Sequence, residues 1–497
     1  VLFKLASTGT MILAVTILLF LVAFVLTTVY KNWRHKARNL PPSPLILPIV
    51  GHLHLWTDPK QMVTTAMKYA KALGGIYSMK FGTKTIVFIG DPDLMSIALT
   101  KHRAVLSDRP SDGLIGLQTM VLPAPEAGIA FCDYTDSHKK YRALMKSFIT
   151  TGDGFQRVNS IITSELYDVI TQVKKCASTK TFVSGEDIST GLTFNMITGV
   201  LFNERGYNHV DKDLATLLPV FQVIIEAIAV PFLQDLLPYL AYFDKSRLND
   251  LLGKTTARDE QLTRLLKKIR SSSDSTKPPR HYIDIILRER PSISDGELIV
   301  HIQELILGGY DTSANAIQIT LALLAKNLDM QQKLRDAIGD IDAINVPIKD
   351  LQNIQYLRNV VQEVFRIAPI APLYIAHKAS DDFKIGGYTV PKDSIVYFLH
   401  QYECHNAGWE NVFKFDPDRW DNPVPNKVLP FGRGPRQCPG ERIATSLVYR
   451  AVASYIQNFE WTETNEPNSM ELEFCSSHHL ASKPKFCARD LLFEPKI

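Results

Sequence analysis

The chain reads as mainly α-helical with a small β portion, a single large domain carried behind an N-terminal transmembrane helix. Three observations predict this. Apolar residues recur at helical spacing over most of the length, strand-like alternation is confined to two short stretches, and Met11 to Tyr30 runs without a charge. With 497 residues, 45% of them hydrophobic, the chain can bury a large core, although length alone would allow about three domains.

The uncharged run MILAVTILLFLVAFVLTTVY is long enough to cross a bilayer as a helix. It ends in Val29-Tyr30 rather than in small residues, unlike a cleaved signal peptide. Lys31, Arg34, His35, Lys36 and Arg38 follow it and only Lys4 precedes it, which places the short N-terminus in the lumen and the rest in the cytosol. Because the chain opens on Val1, its true N-terminus is expected upstream. Pro41, Pro42, Pro44 and Pro48 then predict a stiff extended connector. The expected layout is an anchor over 1–30, a basic and proline-rich connector over 31–51 and the large domain over 52–497.

Within the domain, alternation from Ile76 to Ile89 around Gly82-Thr83-Lys84 predicts a β-hairpin, and a second is predicted over Phe383 to Tyr397, turning at Gly386-Gly387. Leu233 to Phe243 is an apolar stretch broken by Pro238, suited to the core or to a membrane surface. Arg270 to Pro279 is a polar loop between helical blocks. Ser294 and Glu297 have capping-box spacing, and the apolar pattern that follows runs to about Asn327. That predicts one helix on the order of 50 Å long, apolar nearly all round and therefore interior. Leu351, Ile354, Leu357, Val361, Val364 and Phe365 mark the buried face of another helix. A net charge of +4 excludes a bulk nucleic-acid binder, so any basic function must be a local patch. Six scattered cysteines without paired spacing exclude a disulfide scaffold and a structural zinc site.

Three segments carry chemistry. In Phe431 to Gly440 (FGRGPRQCPG), Cys438 lies among glycines that let backbone approach a flat group, with Arg436 two residues upstream. In the middle of the long helix, Gly308-Gly309-Tyr310-Asp311-Thr312 combines a costly glycine pair with a carboxylate and a hydroxyl. Thr312 can bond back to the Gly308 carbonyl, and an acid–alcohol pair suits proton delivery. Glu363 and Arg366 stand one helical turn apart among Val360, Val361, Val364 and Phe365, and a desolvated pair needs further partners, for which Arg419 is available.

Phe431, Gly434, Arg436, Cys438 and Gly440 match the F-x-x-G-x-R-x-C-x-G signature of the cytochrome P450 haem-thiolate monooxygenases, with Ala444 at a small-residue position beyond it. Gly308, Gly309, Asp311 and Thr312 resemble the family's [A/G]-G-x-[D/E]-T segment, Glu363 and Arg366 its E-x-x-R, and Pro417 to Trp420 its P-E-R-F-like segment with Asp418 and Trp420 as departures. The resemblance implies the cytochrome P450 fold, heme b (iron protoporphyrin IX) ligated by the Cys438 thiolate, and a proton relay through Asp311 and Thr312. Phe431, Gly432, Gly440 and Ala444 would border the haem beside Gly308 and Gly309, and Glu363, Arg366 and Arg419 would brace the cysteine loop. Arg436, Arg142, His377 and His138 would meet its propionates, His138 standing where the family's W-x-x-x-R segment has tryptophan.

The anchor makes the chain similar to microsomal members, which implies NADPH-cytochrome P450 reductase as electron donor, with cytochrome b5 as an optional second one, on the endoplasmic reticulum membrane. Lys139, Lys140, Arg142 and Lys146 offer a basic face for such an acidic partner. Arg366 to Lys378 and Gly128 to Asp133 look like the animal steroid 17-hydroxylases and their aryl-hydrocarbon-hydroxylating relatives. Leu305, Tyr310, Ile370, Ala371, Leu373 and Leu480 would line a pocket for a lipophilic substrate, steroid-like or aromatic, Tyr310 narrowing it above the iron. The alternative is a membrane-anchored haem module that senses or carries ligands without turnover, which would have no use for the acid–alcohol pair.

Overall fold

The computed structural model describes residues 2–491 apart from 56–60, 111–123, 125–126, 151, 207–216, 230–245, 274–275, 407, 423–427, 464–471, 475–477 and 481–484. The stretch 233–243, with its expected membrane contact, lies outside the described residues. Six helices position the site: α1 (Leu2–Ala37), α2 (Asp136–Thr150), α3 (Leu192–Phe202), α4 (Asp295–Lys326), α5 (Gln355–Ile367) and α6 (Glu441–Asn458).

Helix α4 starts where its capping box predicts. The Ser294 hydroxyl accepts from the Glu297 N–H while the Glu297 carboxylate accepts from the Ser294 N–H. It is buried along nearly its whole length because α3, α5 and α6 all pack against it. An element apolar all round has no solvent face to present, so it becomes the axis of the core.

The β portion is small. β1 (Ile76–Phe81) and β2 (Lys84–Ile89) form the first hairpin, Ile76 opposite Ile89. β3 (Val183–Ser184) belongs to a separate small sheet near the C-terminus. After β4 (His377–Lys378), the second hairpin is only β5 (Phe383–Ile385) and β6 (Tyr388–Val390). The rest of that predicted hairpin, β7 (Ile395–Phe398), instead joins the first sheet, parallel to β2 and antiparallel to β4. Alternation reveals a strand but not which edge it joins.

Helix α1 also departs from the expected layout. It continues through the basic half of the connector to Ala37, and residues 15–37 form a helix long and apolar enough to cross a membrane.

Candidate active site

The cysteine loop is shaped by backbone conformation. Gly432 and Gly434 have φ of 68° and 79°, a region closed to most side chains. A Cβ on Gly434 would also run into the Leu99 carbonyl oxygen. The Cys438 N–H donates to the Phe431 carbonyl at 2.8 Å, and the Gly432 N–H to the Leu429 carbonyl at 3.0 Å. Arg142 donates to the Gln437 carbonyl from α2, so its guanidinium is engaged by the loop, while Lys139, Lys140 and Lys146 of the expected basic face are exposed. Ala444 closes the first turn of α6, its N–H bonded to the Gly440 carbonyl.

The Cys438 side chain is exposed, yet burial is the foremost influence on its thiol and pushes its pKa up. Both hold for a group on the wall of an enclosed space. The N–H groups of Gly440 and Glu441 at the start of α6 pull the other way, favouring the thiolate.

A second opening interrupts α4. Gly308 and Thr312 are exposed in the middle of an otherwise buried helix, and a Cβ on Gly308 would meet nothing within 4 Å. The Thr312 hydroxyl donates to the Gly308 carbonyl at 3.0 Å, as its spacing predicts, and the Asp311 carboxylate accepts from Asn315 Nδ2 at 3.2 Å. The two glycines have different jobs. A Cβ on Gly309 would come within 2.9 Å of Ile197, so this glycine serves close packing of α3 rather than an opening. Tyr310 does not narrow the pocket: it is 2% exposed and meets Phe194 of α3 edge-on at 5.7 Å. Helical periodicity puts it opposite Gly308 and Thr312, with Leu305 on their side. Ile370 and Ala371 are partly exposed and Leu373 is buried; Leu480 sits in the short β-pair with Leu472, its side chain outside the described residues.

The brace behind the loop is denser than its motif suggests. Glu363 and Arg366 are fully buried and paired twice, at 2.7 and 2.8 Å. Arg419 Nε at 2.9 Å, the Asp416 N–H at 3.0 Å and the Trp420 indole N–H at 3.0 Å also donate to Glu363. Trp420, a departure from the resembled pattern, thus adds a donor that phenylalanine lacks. Both guanidiniums lie over the Trp409 ring, at 5.5 and 5.8 Å. Phe365 of the same helix meets Phe431 at 5.9 Å, carrying the brace to the carbonyl that holds Cys438.

Sequence reasoning missed two members of the site. Arg109, only 4% exposed, donates to the carbonyls of Ala130, Ile375 and Ala376. Glu304 of α4, also 4% exposed, accepts from the N–H groups of Ile129, Ala130 and Phe131. Arg436 donates to the carbonyls of Ser107, Ile129 and Cys132. The loop 129–132 is thereby clamped, its N–H groups on a carboxylate and its carbonyls on two guanidiniums. The available signal was a carboxylate, Glu304, within a largely apolar buried helix, and the segment Asp108-Arg109-Pro110; neither reports burial.

The two histidines behave differently from expectation. His138 is fully buried with a pKa lowered to about 3, by burial first and then by Arg436 and Arg142. Its Nε2 lies 3.2 Å from the Ile129 carbonyl, so Nε2 carries the proton and the partnerless Nδ1 presents a lone pair. In this tautomer Nδ1 therefore has no proton to donate to a carboxylate, whereas Arg109 is a buried donor beside the same loop. His377 is buried on β4 with Nδ1 2.5 Å from the Leu106 carbonyl, and burial lowers its pKa far below the ordinary value, so it is neutral.

A family model for cytochrome P450 matches residues 41–487. The chain belongs to the cytochrome P450 family. It is a P450 monooxygenase, and the family's cofactor is heme b on an axial thiolate. Among curated relatives, cytochrome P450 81F1 of Arabidopsis thaliana is 28% identical over 465 residues, covering 90% of this chain and 91% of the relative. The steroid 17-alpha-hydroxylase/17,20 lyase of Papio hamadryas ursinus is 28% identical over 466 residues, covering 88% and 90%. A solved zebrafish cytochrome P450 with abiraterone superimposes with a TM-score of 0.73 at 21% identity, covering 86% of this chain and 99% of that one.

The residues present fit the cofactor. Two guanidiniums, the buried Arg109 and the part-buried Arg436, share one buried carboxylate, Glu304, while Asp108 and Asp133 nearby are only partly buried; the like charge of Arg436 depresses the Arg109 pKa further after burial, and Arg142 adds a third guanidinium at the loop. A buried surplus of cations calls for anions, which two propionates supply. A thiol that burial keeps protonated becomes a thiolate once a metal coordinates it.

Proposed function

We propose that this P450 inserts one oxygen atom of O2 into a lipophilic substrate by hydroxylation, with electrons from NADPH through a membrane flavoprotein reductase and cytochrome b5 as an accessory donor. Cys438 would be the axial ligand, and Arg109, Arg142 and Arg436 would hold the propionates. Bound there, the haem supplies the oxidising chemistry. The chain's own residues do the rest. Thr312 and Asp311, held by Gly308 and Asn315, pass protons into the opening on α4. Leu305, Ile370, Ala371 and Leu373 keep that opening apolar and limit the water that enters.

The observation that carries this reading is the hydroxyl–carboxylate pair beside the Gly308 opening, which a ligand carrier would not need. Among the relatives, one is named a steroid 17-alpha-hydroxylase/17,20 lyase, which supports a lipophilic substrate, and another, from Salvia miltiorrhiza, ferruginol synthase; the class stays open between steroid-like and aromatic. The reading also takes α1 as a single-pass anchor in the endoplasmic reticulum, with the domain cytosolic and the lysines of α2 facing the reductase.

The test is turnover of steroid, fatty-acid and aromatic panels with NADPH and reductase, watched for products one oxygen heavier. Thr312→Ala is expected to keep NADPH consumption while product falls about 10-fold or more. Unchanged coupling would remove Thr312 from the relay, and absence of oxygenated product from every panel would favour a carrier.

A further inference from the structure

Helix α1 does not end with its apolar run, and its last turns are bolted to the catalytic domain. Asn32 exchanges hydrogen bonds with Ile46: Nδ2 donates to the Ile46 carbonyl at 3.1 Å and Oδ1 accepts from the Ile46 N–H at 3.1 Å. His35 Nε2 lies 2.8 Å from the Pro41 carbonyl and 3.4 Å from the Ser78 hydroxyl on β1. Just beyond the helix, Asn39 Nδ2 donates to the Gly387 carbonyl at 2.7 Å and the Thr389 N–H to the Asn39 carbonyl at 2.8 Å.

This docking gathers charge from two distant parts of the chain. Lys31 and Arg34 share the side of α1 that carries His35, and Arg38 follows directly after the helix. Lys80 lies two residues past Ser78, on the same face of β1 that His35 touches. The clustering leaves its mark on Lys80, whose pKa is lowered by burial first and then by Lys31, Arg38 and Arg34. Among the described residues, none of these four cations has a carboxylate partner. Cations gathered on a rigid frame without a counter-ion repel one another, and an anion relieves that cost.

The surroundings select the kind of anion. Tyr30, Trp33, Leu45 and Ile49 are 54%, 64%, 61% and 70% exposed beside the cluster. Ile49 is held at φ 61°, rarely tolerated by a β-branched residue. Exposed Tyr and Trp at the end of an apolar span suit the headgroup level of a bilayer, where basic side chains meet lipid phosphate.

We propose that Lys31, Arg34, Arg38 and Lys80 form a composite site for the phosphate-bearing headgroup of an anionic phospholipid, holding the catalytic domain at a set orientation on the membrane. The proposal rests on reading α1 as a membrane anchor. An isolated basic stretch after a span would attract anionic lipid diffusely; here Lys80, supplied by the catalytic domain, makes the site dependent on docking.

The test uses the full-length protein in nanodiscs of phosphatidylcholine, titrated with dansyl-phosphatidylserine or dansyl-phosphatidylcholine, reading energy transfer from tryptophan. Trp33→Phe isolates the signal of the patch from the other four tryptophans. The expected result is a preference for the serine lipid, reduced about fivefold by Lys80→Gln and by Arg38→Gln, since each cation near a lipid surface contributes about that factor. Lys84→Gln, on β2, should leave the preference intact. Equal transfer from both lipids, or a preference that both variants retain in full, would overturn the site. Displacement of the lipid by inorganic phosphate would reassign it to free phosphate. Extraction of the protein from the bilayer by alkaline carbonate would instead overturn the anchor reading itself.

Discussion

Glu363→Gln tests how far the brace holds the cysteine loop. The wild-type carboxylate accepts five hydrogen bonds from Arg366, Arg419, Trp420 and the Asp416 N–H, and neither Glu363 nor Arg366 has any solvent exposure. An amide of the same shape keeps the volume, removes the negative charge and aims an N–H₂ at donors. Stranding a buried guanidinium in this way costs about 3–5 kcal/mol. At about 2.1 cal/mol/K of unfolding entropy per residue, a chain of 497 residues loses roughly 1 °C of Tm for each kcal/mol, so rate-matched scans should show a fall of ~3–5 °C. Because Phe365 passes the strain to Phe431, the fraction of protein with the thiolate-type carbon monoxide spectrum should fall as well. The triple change Glu363→Met, Arg366→Met and Arg419→Leu, which removes every charge together, should recover much of the loss. A Glu363→Gln protein that melts with the wild type and keeps its full spectrum would refute the argument, since the buried charge would then need no partner.

Three further outcomes are expected. Cys438→Ser should abolish the red-shifted carbon monoxide band of the reduced protein; its persistence would remove Cys438 as the ligand. Gly434→Ala should cost about 1–3 kcal/mol from its left-handed φ alone, plus the collision with the Leu99 carbonyl, read as lost haem retention on gel filtration. Acid should unfold the protein steeply, because His138 and His301 have pKa values near 3 and His281 near 4, all lowered chiefly by burial. A base whose folded pKa is depressed adds stability above its unfolded value of 6.5 and loses it as pH falls toward the folded value. Between about pH 6.5 and 4 each such histidine therefore steepens the loss by about 1.4 kcal/mol per pH unit. His301→Gln, measured by denaturant midpoints across that window, should remove one such increment.

The chemistry-bearing motifs were legible because each rests on local rules. The capping box at Ser294, the Thr312 bond to Gly308 and the turn through Gly432 and Gly434 involve residues a few positions apart, where backbone geometry leaves few choices. Helical phase, also local, could have separated Tyr310 from Thr312, but which face meets the opening depends on α3 packing behind Gly309. The tautomer of His138, on which its expected propionate contact depends, was illegible for a related reason. A histidine's tautomer follows from the carbonyl it meets, and Ile129 reaches it only through the clamped loop.

The sequence alone determined the family, the thiolate loop, the acid–alcohol pair and the apolar span, since all of these are written in residue type and short spacing. Only the tertiary structure decided that Arg109 and Glu304 belong to the site, that Trp420 completes the brace, that β7 joins the first sheet, and that Lys80 meets the cations of α1. All four depend on which distant segments meet. Burial of a charge, and the partner that makes it tolerable, depend on segments brought together from far along the chain, and neither quantity exists until the chain is folded.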